Sequence, residues 1–190
     1  AAAAAVAAGS GSALDLRQLC VVHGEQVWVV YVDAMVMDSD GNLFDALSLC
    51  IRAALFQTRI PAIKVFPTAL GTMEVELDDD PLACTRISVE NMPVFVSLAR
   101  IGAHFVVDTS IEEELVMDVR LLVGVNKQGD FFTLEKGGFA GLEPTSVFRL
   151  LSIAKQIGRD LIVEQDKALL NEEKKVEREP HLDKLGFFSA

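Results

Sequence analysis

The chain has 190 residues, of which 51% are hydrophobic and 24% charged, so it is not generally disordered and has the size of one domain or slightly more. Its formal net charge of −11 argues against a protein that grips nucleic acid by itself, because such binding needs Lys and Arg to replace counterions along the phosphates. If RNA is involved, a partner should supply much of the basic surface. The sequence also lacks an apolar run of about twenty residues, so no membrane span is expected.

Residues 1–12, AAAAAVAAGSGS, are of low complexity and lack the positive segment and apolar centre of a secretory signal. We interpret them as a leader without a folded role, residues 13–170 as the domain, and residues 171–190 as a charged tail. Three cysteines at wide spacing, each in an apolar setting, predict reduced core thiols and neither a disulfide nor a zinc site: Cys20, Cys50 and Cys84.

Residues 27–37 alternate two largely apolar sets of side chains, which predicts an interior strand covered on both faces. The following turn, DSDGN at 38–42, contains Gly41 for a left-handed conformation and Asp40 or Asn42 as a helix cap. Residues 43–55 have only Asp45, Ser48 and Arg52 as polar positions, so we expect a helix that is buried on most of its circumference.

The remainder of the chain predicts short strands and then a long helix. Strands are expected after Pro61, at residues 73–77, and in several period-two pieces between residues 86 and 107. Residues 115–125 and 130–135 flank the four-residue turn NKQG, which predicts a hairpin. A helix opens at residues 143–145 and continues with apolar residues at helical spacing to Leu169.

Several possible sites are excluded or disfavoured by their spacing. DSDGN fails as a calcium loop because Gly41 comes fourth instead of sixth, and the acidic run 78–80 is interpreted as a solvated loop. The three histidines, His23, His104 and His181, have no nucleophile motif beside them. No metal site is therefore predicted, and the turn at 38–42 remains a helix start of the kind that suits anions.

A second acidic constellation comprises Glu112, Glu113, Glu114 and Asp118, placed between two predicted strands. Carboxylates so placed could bind a metal or act as acid and base, or could form a solvated turn, and spacing leaves both open. Arg120 would share a strand face with Asp118 and partly neutralise it.

Five segments together resemble the RNase PH-like subunits of the RNA exosome ring, most closely the non-catalytic class of the ribosomal-RNA-processing protein forty-two type. They are LDLRQLC at 14–20, the stretch 27–55 that contains DSDGNLFDAL, TRIP at 58–61, RISVENMPV at 86–94 and VVDTSIEEELVMD at 106–118. The similarity extends from about Ser10 to Leu170. It implies an α+β, two-layer RNase PH-like fold of the ribosomal protein S5 domain 2-like type, truncated at the N-terminus.

The resemblance also implies a site. Catalytic members bind inorganic phosphate with the threonine and arginine of a Gly-Gly-Thr-Arg turn, which here becomes Gly41, Asn42, Leu43 and Phe44. Leu43 and Phe44 cannot replace the lost ligands, although the acidic pair Glu112 and Asp118 is retained. We therefore expect no phosphorolysis by this chain alone and no cofactor; the alternative is a phosphate-dependent 3′-to-5′ exoribonuclease whose site is shared with a neighbouring subunit.

The implied partners are other RNase PH-like ring subunits, cap subunits and RNA threaded through the assembly, with localisation in the nucleus, nucleolus and cytoplasm. Candidate RNA contacts, each equally plausible as a surface salt-bridge partner, are Arg52, Arg59, Lys64, Arg86 and Arg100. Strands that precede residue 14 in the family would cover residues 27–37, so this chain is expected to expose apolar surface there and to be poorly soluble alone.

Overall fold

The computed structural model describes residues 13–68, 73–80 and 83–178. The predicted leader, His181 and the last residues of the predicted tail lie outside these ranges. The strands are β1 (Cys20–Val22), β2 (Gln26–Val27), β3 (Arg59–Pro61), β4 (Ile63–Pro67), β5 (Met73–Leu77), β6 (Cys84–Arg86), β7 (Val94–Ile101), β8 (His104–Val107), β9 (Val119–Val125) and β10 (Phe131–Gly138). The helices are a short 3-10 turn (Leu16–Leu19), α1 (Leu43–Gln57), α2 (Ile111–Val116) and α3 (Pro144–Arg178).

The main layer is a four-stranded antiparallel sheet in the order β10, β9, β7, β8. Helix α3 packs over β7 and β9, and the side chains at this contact form the larger core: Val96, Leu98, Leu121, Val123, Val125, Leu150 and Ala154. At Gly158 the helix comes so near the sheet that an added Cβ would lie 3.1 Å from the Cβ of Val125. The α+β, two-layer expectation is confirmed.

A second, smaller core lies at the C-terminal end of α1, where Leu55 packs with residues of β3 and of the segment after β6. Its buried members are Leu55, Ile60, Ile87 and Val89, and partly buried Leu19, Trp28 and Ile51 pack against them. Two-stranded ladders flank it, with β3 paired to β6 and β4 paired to β5. The strands predicted after Pro61 and at 73–77 are therefore confirmed.

The hairpin predicted around NKQG is also confirmed, since β9 and β10 pair in antiparallel register across it. Helix α3 begins at Pro144 as expected and continues to Arg178, past the position where a tail was predicted to begin. The stretch 115–118 was wrongly assigned to the first hairpin strand. Residues 111–116 form α2 instead, because Ser110 and Glu113 make a reciprocal capping box, each side chain bonding the other residue's backbone amide.

The prediction of an interior strand at 27–37 is wrong. Only Gln26 and Val27 pair as a strand, with β1, and residues 29–37 are exposed and without a ladder partner among the described residues. Tyr31 and Met35 are 85% and 87% exposed. Apolar alternation predicts burial only when other strands are available to cover it, and within the described ranges none does.

The burial of α1 also differs from the prediction. Its most buried side chains include the three polar ones, Asp45, Ser48 and Arg52, whereas apolar Phe44 is 42% exposed. Within the described ranges, the first half of β7 pairs with β9 on one side and with no strand on the side facing α1, where two helix side chains satisfy its amides. The Phe95 amide donates to Ser48 Oγ at 2.9 Å, and the Ser97 amide donates to Asp45 Oδ2 at 2.9 Å. Polar residues are thus buried because they complete a sheet edge.

The three cysteines are free, but the prediction of core thiols is wrong. Cys20 and Cys50 are exposed, and Cys84 is only half-buried. Leu19 and Ile51, which are next to Cys20 and Cys50 in the sequence, pack against the smaller core instead.

Candidate functional site: the turn before helix α1

The turn at 40–42 is docked against the segment that joins β8 to α2. The Ile111 amide donates to the Asp40 carbonyl at 3.1 Å. Gly41 has φ +107°, and a Cβ at that position would lie 2.3 Å from the Thr109 carbonyl oxygen. Glycine is therefore required both for the backbone conformation and for the close approach of the two segments.

Asn42, the N-cap residue of α1, has a left-handed conformation with φ 46°. Either Asp40 or Asn42 was expected to cap the helix, but the Asn42 side chain makes no cap bond to the first helical amides. Its Nδ2 instead donates to Asp45 Oδ2 at 3.1 Å and to Asp108 Oδ1 at 2.8 Å. The side chain ties the turn to the end of β8.

The backbone amide of Asn42 already has an anionic acceptor within the chain. It donates to Glu114 Oε1 at 3.0 Å, and Thr109 Oγ1 contacts the same oxygen at 3.5 Å. A helix start of this kind suits an anion because its first amides point outward without partners. Here Glu114 takes one of those amides, so the turn is less open to a ligand than its sequence suggested.

Leu43 and Phe44 form the first residues of α1. Leu43 is half-buried, and the Phe44 ring lies beneath the guanidinium of Arg120, whose Cζ is 4.8 Å from the ring centre. Arg120 was expected to neutralise Asp118. Instead, the cation nearest to Asp118 is Arg100, with Nε 3.9 Å from Asp118 Oδ2.

The stack of Arg120 on Phe44 gives a testable coupling. Phe44→Leu and Arg120→Met should each lower the free energy of unfolding, with a coupling of about 0.5 to 1 kcal/mol, because a cation over an exposed ring contributes that much. A double-mutant cycle by chemical denaturation measures it. Phe66→Leu is the control, since Phe66 is similarly exposed and has no cation over its ring in the described ranges. A zero coupling contradicts the stack.

The predicted acidic pair does not form a joint site by direct contact. Glu112 is exposed on α2 and accepts a bond from Ser110 Oγ at 3.0 Å, while Asp118 precedes β9 and faces Arg100. Within the described part of the chain, their side chains share no hydrogen-bond partner. The described residues contain no group of three or more His, Cys, Asp and Glu side chains suited to hold a metal ion.

Asp45 is the most perturbed carboxylate near the turn. Burial raises its pKa above the ordinary value, although the amide and hydroxyl of Ser97 and the Asn42 side chain donate to it and oppose this effect. Ser97 Oγ donates at 2.7 Å. The group is enclosed by its own fold and fixes α1 to β7, so its arrangement is structural.

The five basic candidates occupy different surroundings. Arg52 is not at the surface: it is 2% exposed, with Nη2 2.7 Å from Asp166 Oδ1 and Nη1 2.9 Å from Gln165 Oε1. Lys64 pairs with Asp78 at 3.2 Å. The pKa of Asp78 is lowered, mainly by a hydrogen bond from the Asp80 amide and next by one from Lys64.

The other three candidates lie near the surface. Arg59 and Arg86 are opposite each other on β3 and β6, and Arg86 forms an ion pair with Glu173 of α3. Arg100 Nη1 donates to the Gly141 carbonyl at 3.0 Å. The structure does not bring the five together into one surface, and a role in RNA contact stays a prediction for each exposed one.

Sequence reasoning missed the functions of Glu114 and Arg120 at the turn. Glu114 was noted only as one of an acidic run, and Arg120 was paired with the wrong neighbour. Both contacts join residues far apart in sequence, so a motif in either segment alone carries no signal for them.

No helix within the described residues is long and apolar enough to cross a membrane.

Profiles of the 3′ exoribonuclease family match the chain in two places. Domain 1 of the family matches residues 13–61, and domain 2 matches residues 91–157. The first match includes the turn before α1, and the second includes the four-stranded sheet and the start of α3. The chain belongs to the 3′ exoribonuclease family. Its fold is accordingly the RNase PH-like fold.

Individual relatives agree with this family. The chain is 44% identical over 149 residues to a protein of Dictyostelium discoideum named "Putative exosome complex exonuclease RRP42", an alignment covering 78% of this chain and 46% of that protein. It is 34% identical over 161 residues to "Exosome complex component Rrp42" of Methanothermobacter thermautotrophicus, covering 82% and 55%. The chain thus spans about half the length of the curated relatives it matches.

Solved structures show the same similarity in three dimensions. The "Archaeal exosome core" superimposes with a TM-score of 0.63 at 30% identity, covering 81% of this chain and 57% of that one. The Archaeoglobus fulgidus exosome "with RNA bound to the active site" gives a TM-score of 0.64 at 30% identity, covering 81% and 55%. The 3′ exoribonuclease relatives in both comparisons are therefore exosome components.

Proposed function

We propose that this chain is a non-catalytic structural subunit of an RNA exosome ring. In this role it supports 3′-to-5′ RNA processing and decay, including ribosomal RNA maturation, by ring assembly and RNA threading. The names of its relatives and the exosome cores among its structural neighbours support the ring assignment. The family is exoribonuclease-like, so the lack of catalysis in this subunit rests on the turn before α1.

The observation that carries the non-catalytic part is the occupancy of that turn. Glu114 accepts the Asn42 amide, and Leu43 and Phe44 follow with no hydrogen-bonding side chain. A negative carboxylate beside the helix start repels a phosphate ion, and neither apolar side chain can compensate. One oriented hydrogen-bond donor to a developing negative charge stabilises a transition state by about 3 to 4 kcal/mol. The acidic pair cannot replace that stabilisation, because carboxylates are acceptors and carry negative charge themselves.

The proposed partners are other RNase PH-like ring subunits, cap subunits and RNA held by the assembled complex, in the nucleus, nucleolus and cytoplasm. Residues 29–37 support a role in assembly, because they expose apolar side chains such as Tyr31, Met35 and Met37. Exposed apolar surface of this kind commonly marks an interaction site.

The test is phosphorolysis by the assembled ring. We expect Glu112→Ala with Asp118→Ala to leave the release of nucleoside diphosphates from single-stranded RNA and inorganic phosphate unchanged. A loss of about a hundredfold or more would favour the shared-site enzyme instead. Glu74→Ala with Asp79→Ala removes the same charge elsewhere and is the control. Co-purification with ring subunits reports on assembly separately, and phosphorolysis by the purified chain alone would overturn the proposal.

A further inference from the structure

Helix α3 has an outward face on which basic and aromatic side chains lie together. Phe148, Lys155 and Arg159 are separated by seven and four residues, which places them on one side of a helix. Ser152 lies on the same side, and Arg149 is exposed about 100° around the helix axis from Phe148. We call these five residues the α3 strip. Phe148 is 71% exposed, so the strip is open to a partner.

The cations of the strip lack counter-ions among the described residues. Arg149, Lys155 and Arg159 form no ion pair within the described part of the chain, and neither does Asp160, the carboxylate beside them. Farther along the same helix, by contrast, Lys167 and Lys175 pair with Glu164 and Glu172. In a chain of net charge −11, three unpaired cations along one helix indicate an anionic partner.

The shape of this surface suits an elongated ligand. A concavity of about 350 Å³ lies between the start of β8 and the first turns of α3, with His104, Phe105 and Arg149 in its lining. A second, of about 340 Å³, follows along the helix and includes Lys155 and Arg159. From Arg149 to Arg159 the helix rises about 15 Å. The strip therefore has one concavity at its start, on the side of β8, and a second along the exposed face of the helix, where Asp160 also belongs to the lining.

Aromatic rings distinguish a polynucleotide from other polyanions here. Phe131 of β10 is 46% exposed, and Lys155 Nζ lies 6.0 Å from its ring centre; Phe105 is 41% exposed at the first concavity. Cationic grooves with neighbouring aromatic rings bind single strands because bases stack on the rings while the cations hold the phosphates. An acidic peptide would use the cations but leave the ring faces without partners.

We propose that the α3 strip binds single-stranded RNA, with phosphates along Arg149, Lys155 and Arg159 and bases on the exposed phenylalanine rings. The strip shares no residue with the turn before α1. The proposal goes beyond ring membership, which requires no RNA contact at this helix. The net negative charge of the chain makes the strip a local contact of modest affinity.

The first test uses the intact chain and a fluorescein-labelled oligouridylate, with anisotropy measured over a range of salt concentrations. Lys155→Gln with Arg159→Gln should weaken binding by about fourfold per cation at physiological salt and lower the slope of log K against log salt by about 0.7 per cation. Lys167→Gln with Lys175→Gln changes the net charge equally on the same helix and should have little effect. Equal losses in both pairs, or an unchanged slope, would overturn the proposal.

The second test separates stacking from charge. Phe148→Ser should weaken binding without altering the salt slope, because the phenyl ring contacts no phosphate. Thermal unfolding of each variant establishes that the fold is retained. If oligoglutamate binds as tightly as oligouridylate and loses the same affinity in the variants, the strip is a docking site for an acidic protein surface and the RNA assignment is wrong. Failure of the chain to enter a ring would overturn the proposed function and leave this result intact.

Discussion

Asp166→Ala is expected to lower the free energy of unfolding by about 3 to 5 kcal/mol, the usual cost of leaving one member of a buried ion pair without its partner. Arg52 is 2% exposed, and its Nη2 lies 2.7 Å from Asp166 Oδ1. Without that carboxylate, the side-chain acceptor that remains for the buried guanidinium among the described residues is Gln165 Oε1 at 2.9 Å. Urea denaturation followed by circular dichroism measures the loss.

Lys127→Ala is the matched control, since Lys127 Nζ lies 2.8 Å from the other oxygen of the same carboxylate. Its side chain is 50% exposed, so water replaces the lost interaction and the expected loss is about 1 kcal/mol or less. Equal losses for the two substitutions would show that the burial of Arg52 does not determine the effect.

The pH dependence of the stability tests whether the negative charge of Asp166 causes this loss. Burial raises the pKa of Asp166, but hydrogen bonds from Lys127 and Arg52 outweigh it and hold the pKa below the usual range. A lowered folded-state pKa stabilises the protein above the unfolded-state pKa, and this contribution is lost as the pH falls through the folded-state value. The difference between the wild type and Asp166→Ala should therefore shrink in acid below about pH 4.

Gly41→Ala should be similarly costly, with a loss of about 3 kcal/mol or more from backbone strain and overpacking together. The new Cβ would lie 2.3 Å from the Thr109 carbonyl oxygen and 2.9 Å from the Ile111 nitrogen, both backbone atoms that cannot rotate away. Separating the two segments would also break the bond between the Asn42 amide and Glu114. Chemical denaturation measures the stability.

Gly24→Ala isolates the strain from the clash. Gly24 has φ +82°, but an added Cβ there has no atom within 4 Å. Its expected cost is about 1 to 2 kcal/mol, which is that of the left-handed conformation alone. If both alanine variants lose the same stability, the close approach at Gly41 contributes nothing and the docking of the turn onto the α2 segment is weaker than the geometry implies.

Local patterns sufficed for elements whose partners are adjacent in sequence. The hairpin of β9 and β10 follows from one turn and two apolar runs, and α3 follows from helical spacing that starts at Pro144. The strand prediction for residues 27–37 was wrong because a strand forms only when a neighbouring strand pairs with it. Alternation of apolar side chains describes the segment itself and carries no information about such a neighbour. Its apolar side chains predicted covering strands that the described residues do not supply.

The candidate site was predictable in its position but less so in its contacts. The glycine and helix start at residues 41–43 were evident from the sequence, and the family resemblance supplied the meaning of Leu43 and Phe44. The carboxylate of Glu114 on the Asn42 amide joins segments 72 residues apart. Periodicity and capping rules concern neighbours within a few residues, so they could not select Glu114 from among the adjacent glutamates.

The buried polar side of α1 has a mechanical consequence. Leu55 at one end of the helix belongs to the smaller core, while Asp45 and Ser48 bond the β7 edge and Arg52 bonds α3. Apolar contacts tolerate sliding, whereas hydrogen bonds weaken steeply with small changes in distance and angle. Helix α1 therefore cannot shift relative to β7 and α3 without breaking hydrogen bonds.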